Sequence, residues 1–199
     1  MKKIVLMLTL LLSVAVGYGQ TAKSVLDKCA AKVSSKDGVT ASFSMVSAQY
    51  GSAKGTIAVK GKKFKAVTEA AAMWFDGKTL WTYVSKNDEV NVTTPTEAQL
   101  QALNPYNFIN LYKSGFKYTM TQSSDSYIVH LTAEDGARRI QELFITVNKK
   151  SYAPTEVKML QKQKWTTFTV SDLKSEKLGD DLFKFKTGEY PSAEVVDLR

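Results

Sequence analysis

The side chains able to do chemistry are few in this sequence and stand apart from one another. His130, the only histidine, alternates with Ile128 in a stretch that reads as a strand. A general base needs a nucleophile and an orienting group within hydrogen-bond reach, and His130 has neither at a recognisable spacing. Its expected role is structural. Cys29 is the only cysteine, which excludes an intrachain disulfide; as a free thiol among apolar neighbours it reads as a small buried hydrophobe. Glu134-Asp135 and Asp180-Asp181 are adjacent carboxylates beside turn residues. Sequence neighbours point apart, so these read as solvated loop charges and not as the facing pair that glycoside hydrolysis requires. HExxH, G-x-S-x-G, P-loop and Cys/His zinc patterns do not occur. The sequence therefore predicts no enzyme, no metal and no cofactor.

Charge is the remaining chemical signal. The chain carries a net +8, with Lys60, Lys62, Lys63 and Lys65 as its densest group. Lysines of this kind protect solvated strand edges from pairing; the functional alternative is attraction to an anionic membrane surface or an acidic partner. Nucleic acid is not expected, because the chain opens on an export signal. Lys2 and Lys3 form a positive n-region, residues 4–16 an apolar run, and Gly17-Tyr18-Gly19 a small-x-small cleavage pattern. Residues 1–19 are thus expected to be a secretory signal peptide and residues 20–199 one domain, long enough to bury a core. Cys29 lies too far beyond the apolar run to accept a lipid, and no later stretch is long and apolar enough for a transmembrane helix.

The elements that must position these residues are mostly strands. The centre is MWFDGKTLWTYV, residues 73–84, where Asp76-Gly77 predicts a two-residue hairpin loop. Alternation puts Ala72, Trp74, Thr79, Trp81 and Tyr83 on one face and Met73, Phe75, Leu80 and Thr82 on the other. Both faces are apolar, so both need a cover. Residues 21–36 read as an amphipathic helix with Val25, Leu26, Cys29, Ala30 and Val33 on one stripe, ended by Asp37-Gly38. Strand periodicity follows through Phe43 and Met45, then, after Gly51 and Gly55, through Ile57 and Val59, and onward from Phe64. Thr94-Pro95-Thr96-Glu97 predicts a helix start with Thr94 as cap. Leu100, Leu103, Phe108 and Ile109 make the short helices that follow apolar, and Asn104-Pro105 interrupts them. Strands resume at Phe116 and continue to Val170. The fold class is mainly β (α+β): one incomplete, half-open antiparallel barrel of about ten to eleven strands, with helices capping its concave apolar face.

Three segments carry a family likeness. Residues 74–83, WFDGKTLWTY, are similar to a D-G-K-x-L-W-x-Y core. Gly55-Thr56-Ile57-Ala58-Val59-Lys60 running into Phe64 resembles the strand and turn before that core. Phe183-Lys184-Phe185 followed by Gly188, Pro191, Val195, Val196, Asp197, Leu198 and Arg199 matches an F-x-F…G…V-x-D-L-R ending. On these the sequence resembles the periplasmic outer-membrane lipoprotein carrier (LolA) family, with the element order agreeing over nearly the whole exported chain. The resemblance implies a half-barrel capped by helices around a cavity for lipoprotein acyl chains, lined by Phe43, Met45, Ile57, Val59, Phe64, Trp81, Tyr83, Leu100, Leu103, Phe108 and Ile109. It implies a mouth at Lys60, Lys62 and Phe64, where a charge in place of Phe64 would impair cargo handling and spare the fold. It further implies a periplasmic monomer, triacylated lipoproteins as cargo, an inner-membrane lipoprotein-releasing ABC transporter as donor, and an outer-membrane acceptor left open. The turn Lys60-Gly61-Lys62-Lys63 lacks the arginine of better-known members, and Ala66 stands where a tryptophan is common; lysine lacks the planar fork that could bond lid carbonyls. The alternative reading is a binding or sensor module for another lipid or hydrophobic molecule on the same half-barrel.

Overall fold

The computed structural model describes residues 20–49, 51–96, 99–100 and 111–199. The expected signal peptide, the Asn104-Pro105 break and the helices expected around Leu103, Phe108 and Ile109 lie outside the described residues.

Among the described residues the first element is a helix, α1 (Ala22–Val33). Thr21 caps it by accepting from the Ser24 N–H at 3.1 Å, and its buried residues are Val25, Leu26, Cys29, Ala30 and Val33. That is the stripe the 3.6-residue period demands. The helix stops at Ser34, three residues before Asp37-Gly38, because the chain must turn into the first strand. Twelve strands follow among the described residues: β1 (Val39–Ser47), β2 (Gly51–Lys60), β3 (Lys63–Thr68), β4 (Ala71–Phe75), β5 (Leu80–Val84), β6 (Glu89–Thr93), β7 (Phe116–Gln122), β8 (Ser126–Ala133), β9 (Ile140–Asn148), β10 (Pro154–Gln161), β11 (Lys164–Ser175) and β12 (Glu194–Asp197). They form one open sheet in the order β12-β6-β5-β4-β3-β2-β1-β11-β10-β9-β8-β7. A sheet beyond about ten strands curls instead of lying flat. This one curls as a half-barrel around a main core that joins α1 to residues from β1 through β5 and β7 through β10.

Local chemistry sets the turns. Gly55 lies inside β2, opposite Phe43. The tip of the β4–β5 hairpin is longer than two residues: Phe75 pairs with Leu80, and the Asp76 carboxylate accepts from the Lys78 and Thr79 N–H groups at 2.9 and 2.8 Å. Gly77 takes φ +103, a conformation open to glycine at no steric cost. The shift moves every partner by two residues, so both faces stay as the alternation set them. Between β10 and β11, Lys162 and Gln163 both take positive φ, as a two-residue type I′ loop needs. At the start of the interlude the cap is Thr96 and not Thr94. The Thr96 N–H donates to Gln99 Oε1 at 2.8 Å, and the Gln99 N–H returns to Thr96 Oγ1 at 3.3 Å. Two overlapping capping boxes are written there, and the second one forms.

The segment after β11 was legible only as a family ending, and it builds the outer wall. It leaves β11, makes 3-10 turns at Asp180–Phe183 and Thr187–Glu189, and closes as β12, parallel to β6. Along this path Phe183 is fully buried with Ala58 and Leu178. Phe185 and Tyr190 meet the Trp74 ring edge-on at 5.5 and 5.4 Å, and Tyr190 also meets Tyr83 at 4.6 Å. The hairpin's two apolar faces thus have different covers: the core within, and this C-terminal strap without.

Candidate functional site

Register places the inner-face residues in ranks across the sheet. The first rank runs Val39, Val59, Phe64, Phe75 and Leu80 through successive cross-strand pairs. All five are buried, and Phe64 and Phe75 are in ring contact at 5.5 Å. The second rank, Ala41, Ile57, Ala66, Met73 and Thr82, is buried as far as Ala66 and half-buried beyond it. In the third, Phe43 lies between Gly55 of β2 and Val170 of β11, and all three are half-buried. Met45 follows, opposite Phe168 and also half-buried. The concave face is therefore sealed at one end of the strands and grades into half-exposed apolar surface toward the other. Beside it, β8 to β10 contribute Val129, Leu131, Leu143, Ile145, Val157 and Met159, all buried.

The eleven expected cavity residues separate along these ranks. Phe43, Met45 and Leu100 are half-buried, with Phe43 and Leu100 packed against the main core. Ile57, Val59 and Phe64 are 3%, 5% and 0% exposed and are core. Phe64 is no mouth residue: a charge placed there would sit unpaired in the interior, so the expectation that such a change spares the fold does not stand. Trp81 and Tyr83 lie on the opposite face, across from Trp74 and Ala72, where Tyr83 packs under the strap and donates to Asp88 at 3.1 Å. They cannot share a cavity with Val59 or Phe43. Leu103, Phe108 and Ile109 lie outside the described residues. Sequence reasoning missed Met73, Phe168 and Val170, which share the inner face with Phe43 and pack against the core. Alternation within each strand would have found them, had the register between strands been known.

Polar groups frame this face without forming a reactive cluster. The Tyr112 hydroxyl donates to Asp27 Oδ1 at 2.6 Å and so ties the chain before β7 to α1. Lys23 completes the contact at 2.8 Å and, with Tyr112, holds the Asp27 carboxyl below its ordinary range. Burial, then Asp27, pushes the Tyr112 hydroxyl up. Burial alone pushes the Cys29 thiol up to about 12, so it stays protonated and unreactive. His130 is on the outer face, 2.9 Å from Glu142 and stacked flat on Phe144 at 4.1 Å. Among the described residues no group of acids, cysteines and histidine could hold a metal ion, and no helix is long and apolar enough to cross a membrane. At the expected mouth, Lys60 Nζ donates to the Leu178 carbonyl at 2.7 Å and to Asp180 at 3.0 Å, and Lys63 reaches the other Asp180 oxygen at 2.8 Å. Those two lysines bind the strap; Lys62 is exposed in the turn.

Residues 12–163, from ahead of α1 to beyond β10, match the family model described as outer membrane lipoprotein carrier protein LolA. The chain belongs to this family. A comparison with curated proteins gave no match. Among solved structures, an uncharacterized conserved protein from Thermus thermophilus aligns with a TM-score of 0.59 at 9% identity, over 88% of this chain and 98% of that one. A LolA superfamily protein from Nitrosomonas europaea aligns at 0.42 and 13%, over 83% and 98%, and LprF from Mycobacterium bovis at 0.43 and 9%, over 81% and 99%. At such identity the first likeness speaks for the fold alone. In this LolA family member the arginine-free turn is not simply a weaker version of the arginine-bearing one. Two of its three lysines are committed to Asp180, on the outside of the sheet.

Proposed function

We propose that this protein is a soluble periplasmic carrier that shelters lipoprotein acyl chains against its inner face and moves them from the inner to the outer membrane. An inner-membrane lipoprotein-releasing ABC transporter is its donor in this reading, and no covalent chemistry is involved. The observation that carries the reading is the graded inner face, which runs from the sealed rank at Phe64 to half-buried Phe43, Met45, Met73, Phe168 and Val170. Family membership supports it independently. The physical logic is transfer free energy. Each methylene hidden from water is worth about 0.8 kcal/mol, so an acyl chain needs a continuous apolar floor and not a few contacts. The sealed end supplies a rigid base for that floor, and the half-exposed end supplies surface that a chain could cover.

Intact-complex mass spectrometry of protein released gently from the periplasm tests this. A bound acylated polypeptide is the expected result. A free lipid or small hydrophobic molecule in its place would overturn the carrier role and leave a binding module. The residue-level test is a double substitution, Phe43→Ser with Met45→Ser, which should remove acyl binding from a protein that still folds.

A further inference from the structure

The two ends of the half-barrel differ in charge, in a way that neither the acyl-binding reading nor the family accounts for. At the end of the sealed rank, five loops each expose a lysine that makes no ion pair among the described residues: Lys36 before β1, Lys62 between β2 and β3, Lys78 between β4 and β5, Lys150 between β9 and β10, and Lys177 after β11. The acids at the same end are fewer than the lysines; some are ion-paired, and the others keep their charge and accept from neutral donors or from none. Asp180 is held between Lys60 and Lys63, and Asp181 by Lys184 at 3.9 Å. Asp76 accepts from its own turn. Asp125 accepts from Ser123 and Ser126 at 3.1 and 3.2 Å, and Glu176 from Thr40. Asp37 alone has no such partner among the described residues. The loops at the other end mix signs instead: Glu69, Lys86 with Asp88, Glu134 and Asp135 with Arg138 and Arg139, and Lys162.

We infer that the rim carrying Lys36, Lys62, Lys78, Lys150 and Lys177 is a docking surface for an anionic phospholipid bilayer. The arrangement favours a plane over a point ligand. The five lysines come from separate turns, and those between the β4–β5 turn and the end of β11 alone span roughly 20 Å at the usual spacing between strands. No acid is placed to gather them around one phosphate. Of the large exposed apolar side chains on the described chain, Val46, Val195 and Leu198, only Leu198, just past the end of β12, lies at this end of the sheet. Binding is therefore electrostatic and falls with salt, since free charges facing solvent are screened within about 10 Å at 0.1 M. Each basic residue near such a surface contributes about fivefold to partitioning. The inference does not depend on acyl binding, because the rim and the half-exposed inner face are at different ends of the strands.

The test is co-sedimentation of the purified protein with vesicles of phosphatidylcholine alone or mixed with phosphatidylglycerol, at low and high salt, with no lipoprotein present. Partition into the mixed vesicles, lost at high salt and not seen with phosphatidylcholine alone, is expected. The triple variant Lys62→Glu, Lys78→Glu, Lys150→Glu should reduce it at least about a hundredfold. A triple variant with the same change in net charge at other sites, Lys54→Glu, Lys86→Glu, Lys162→Glu, should retain most of it. Equal loss in both would assign the effect to net charge and overturn the rim. No binding to anionic vesicles would overturn it as well, and would leave an acidic protein as the surface's partner. Circular dichroism of both variants establishes that each is folded, which exposed turn lysines permit.

Discussion

The β4–β5 hairpin presents two apolar faces of similar make-up, and the molecule treats them differently. Trp74, Trp81 and Tyr83 face outward, where the chain's own C-terminal strap meets Trp74 with Phe185 and Tyr190 and Tyr83 with Tyr190. Phe75, Leu80 and Met73 face inward, joined to a core that is complete at the Phe64 rank and half-exposed at the Phe43 rank. Outside, aromatic edges meet aromatic faces at ring distances near 5.5 Å, an arrangement worth about 0.5–1.5 kcal/mol per pair beyond burial. Inside, the half-exposed part sets Met45, Met73 and Val170 beside Phe43 and Phe168, and its methionines adapt to irregular partners. An aromatic-rich face finished by its own chain is architecture. A flexible apolar face finished only at one end is where a ligand can bind.

The strongest way to break this comparison is at its outer side. Trp74 is 1% exposed, and Trp74→Ala should cost about 3–5 kcal/mol in urea unfolding, while the fraction that stays folded binds an acyl probe as the wild type does. Lost affinity in the folded fraction would mean that the outer face belongs to the site. The complementary test is the pair Phe43→Ser and Met45→Ser. Because these side chains are half-buried, the stability loss should be well below that of Trp74→Ala, whereas the affinity for a fluorescent fatty-acid probe should fall about tenfold or more. Unchanged affinity there, measured by titration, would remove the inner face from the proposed function.

How much of this could be read beforehand follows from which interactions are local. The α1 stripe was legible to the residue, because the helical period acts on five near neighbours. The parity of the hairpin survived a turn two residues longer than expected, because only an odd shift exchanges the faces. Parity does not say which face is the concave one, however, and Trp81 and Tyr83, which the family resemblance puts in the cavity, lie on the other face. Burial along a face was illegible for a related cause. Phe64 and Phe43 both sit at inner positions, and what separates core from half-exposed surface is their rank, which depends on the register of five strands together. The strap was the least legible part. Its anchors Phe183, Phe185 and Tyr190 follow no period, and the residues they cover lie about a hundred positions earlier.

Two smaller predictions test how the strap is fastened. Gly38 has φ +120, and an added Cβ would lie 2.5 Å from the Leu178 side chain that begins the strap. Gly38→Ala should therefore cost about 1–3 kcal/mol, and the loss should be smaller when Leu178 is shortened in the same protein. Additive losses in that double-mutant cycle would mean that the backbone strain, and not the strap contact, carries the cost.

The smallest effect is expected at the charged fastening, and its sign against pH identifies it. Hydrogen bonds from Lys63 and then Lys60, with their charges, hold the Asp180 carboxyl down to about 2 against an ordinary 3.8. A carboxyl lowered on folding binds fewer protons in the native state than in the unfolded one. Its contribution is complete above about pH 4 and fades as pH falls toward 2. The melting temperature of Asp180→Asn should lie slightly below that of the wild type near pH 7, keep that gap down to about pH 4, and converge with it near pH 2. The group is largely exposed, so the gap should also shrink in high salt. A gap that persisted at pH 2 would assign the residue's role to the 3-10 turn it begins, not to its ion pairs, and the strap would then be held by its aromatic contacts alone.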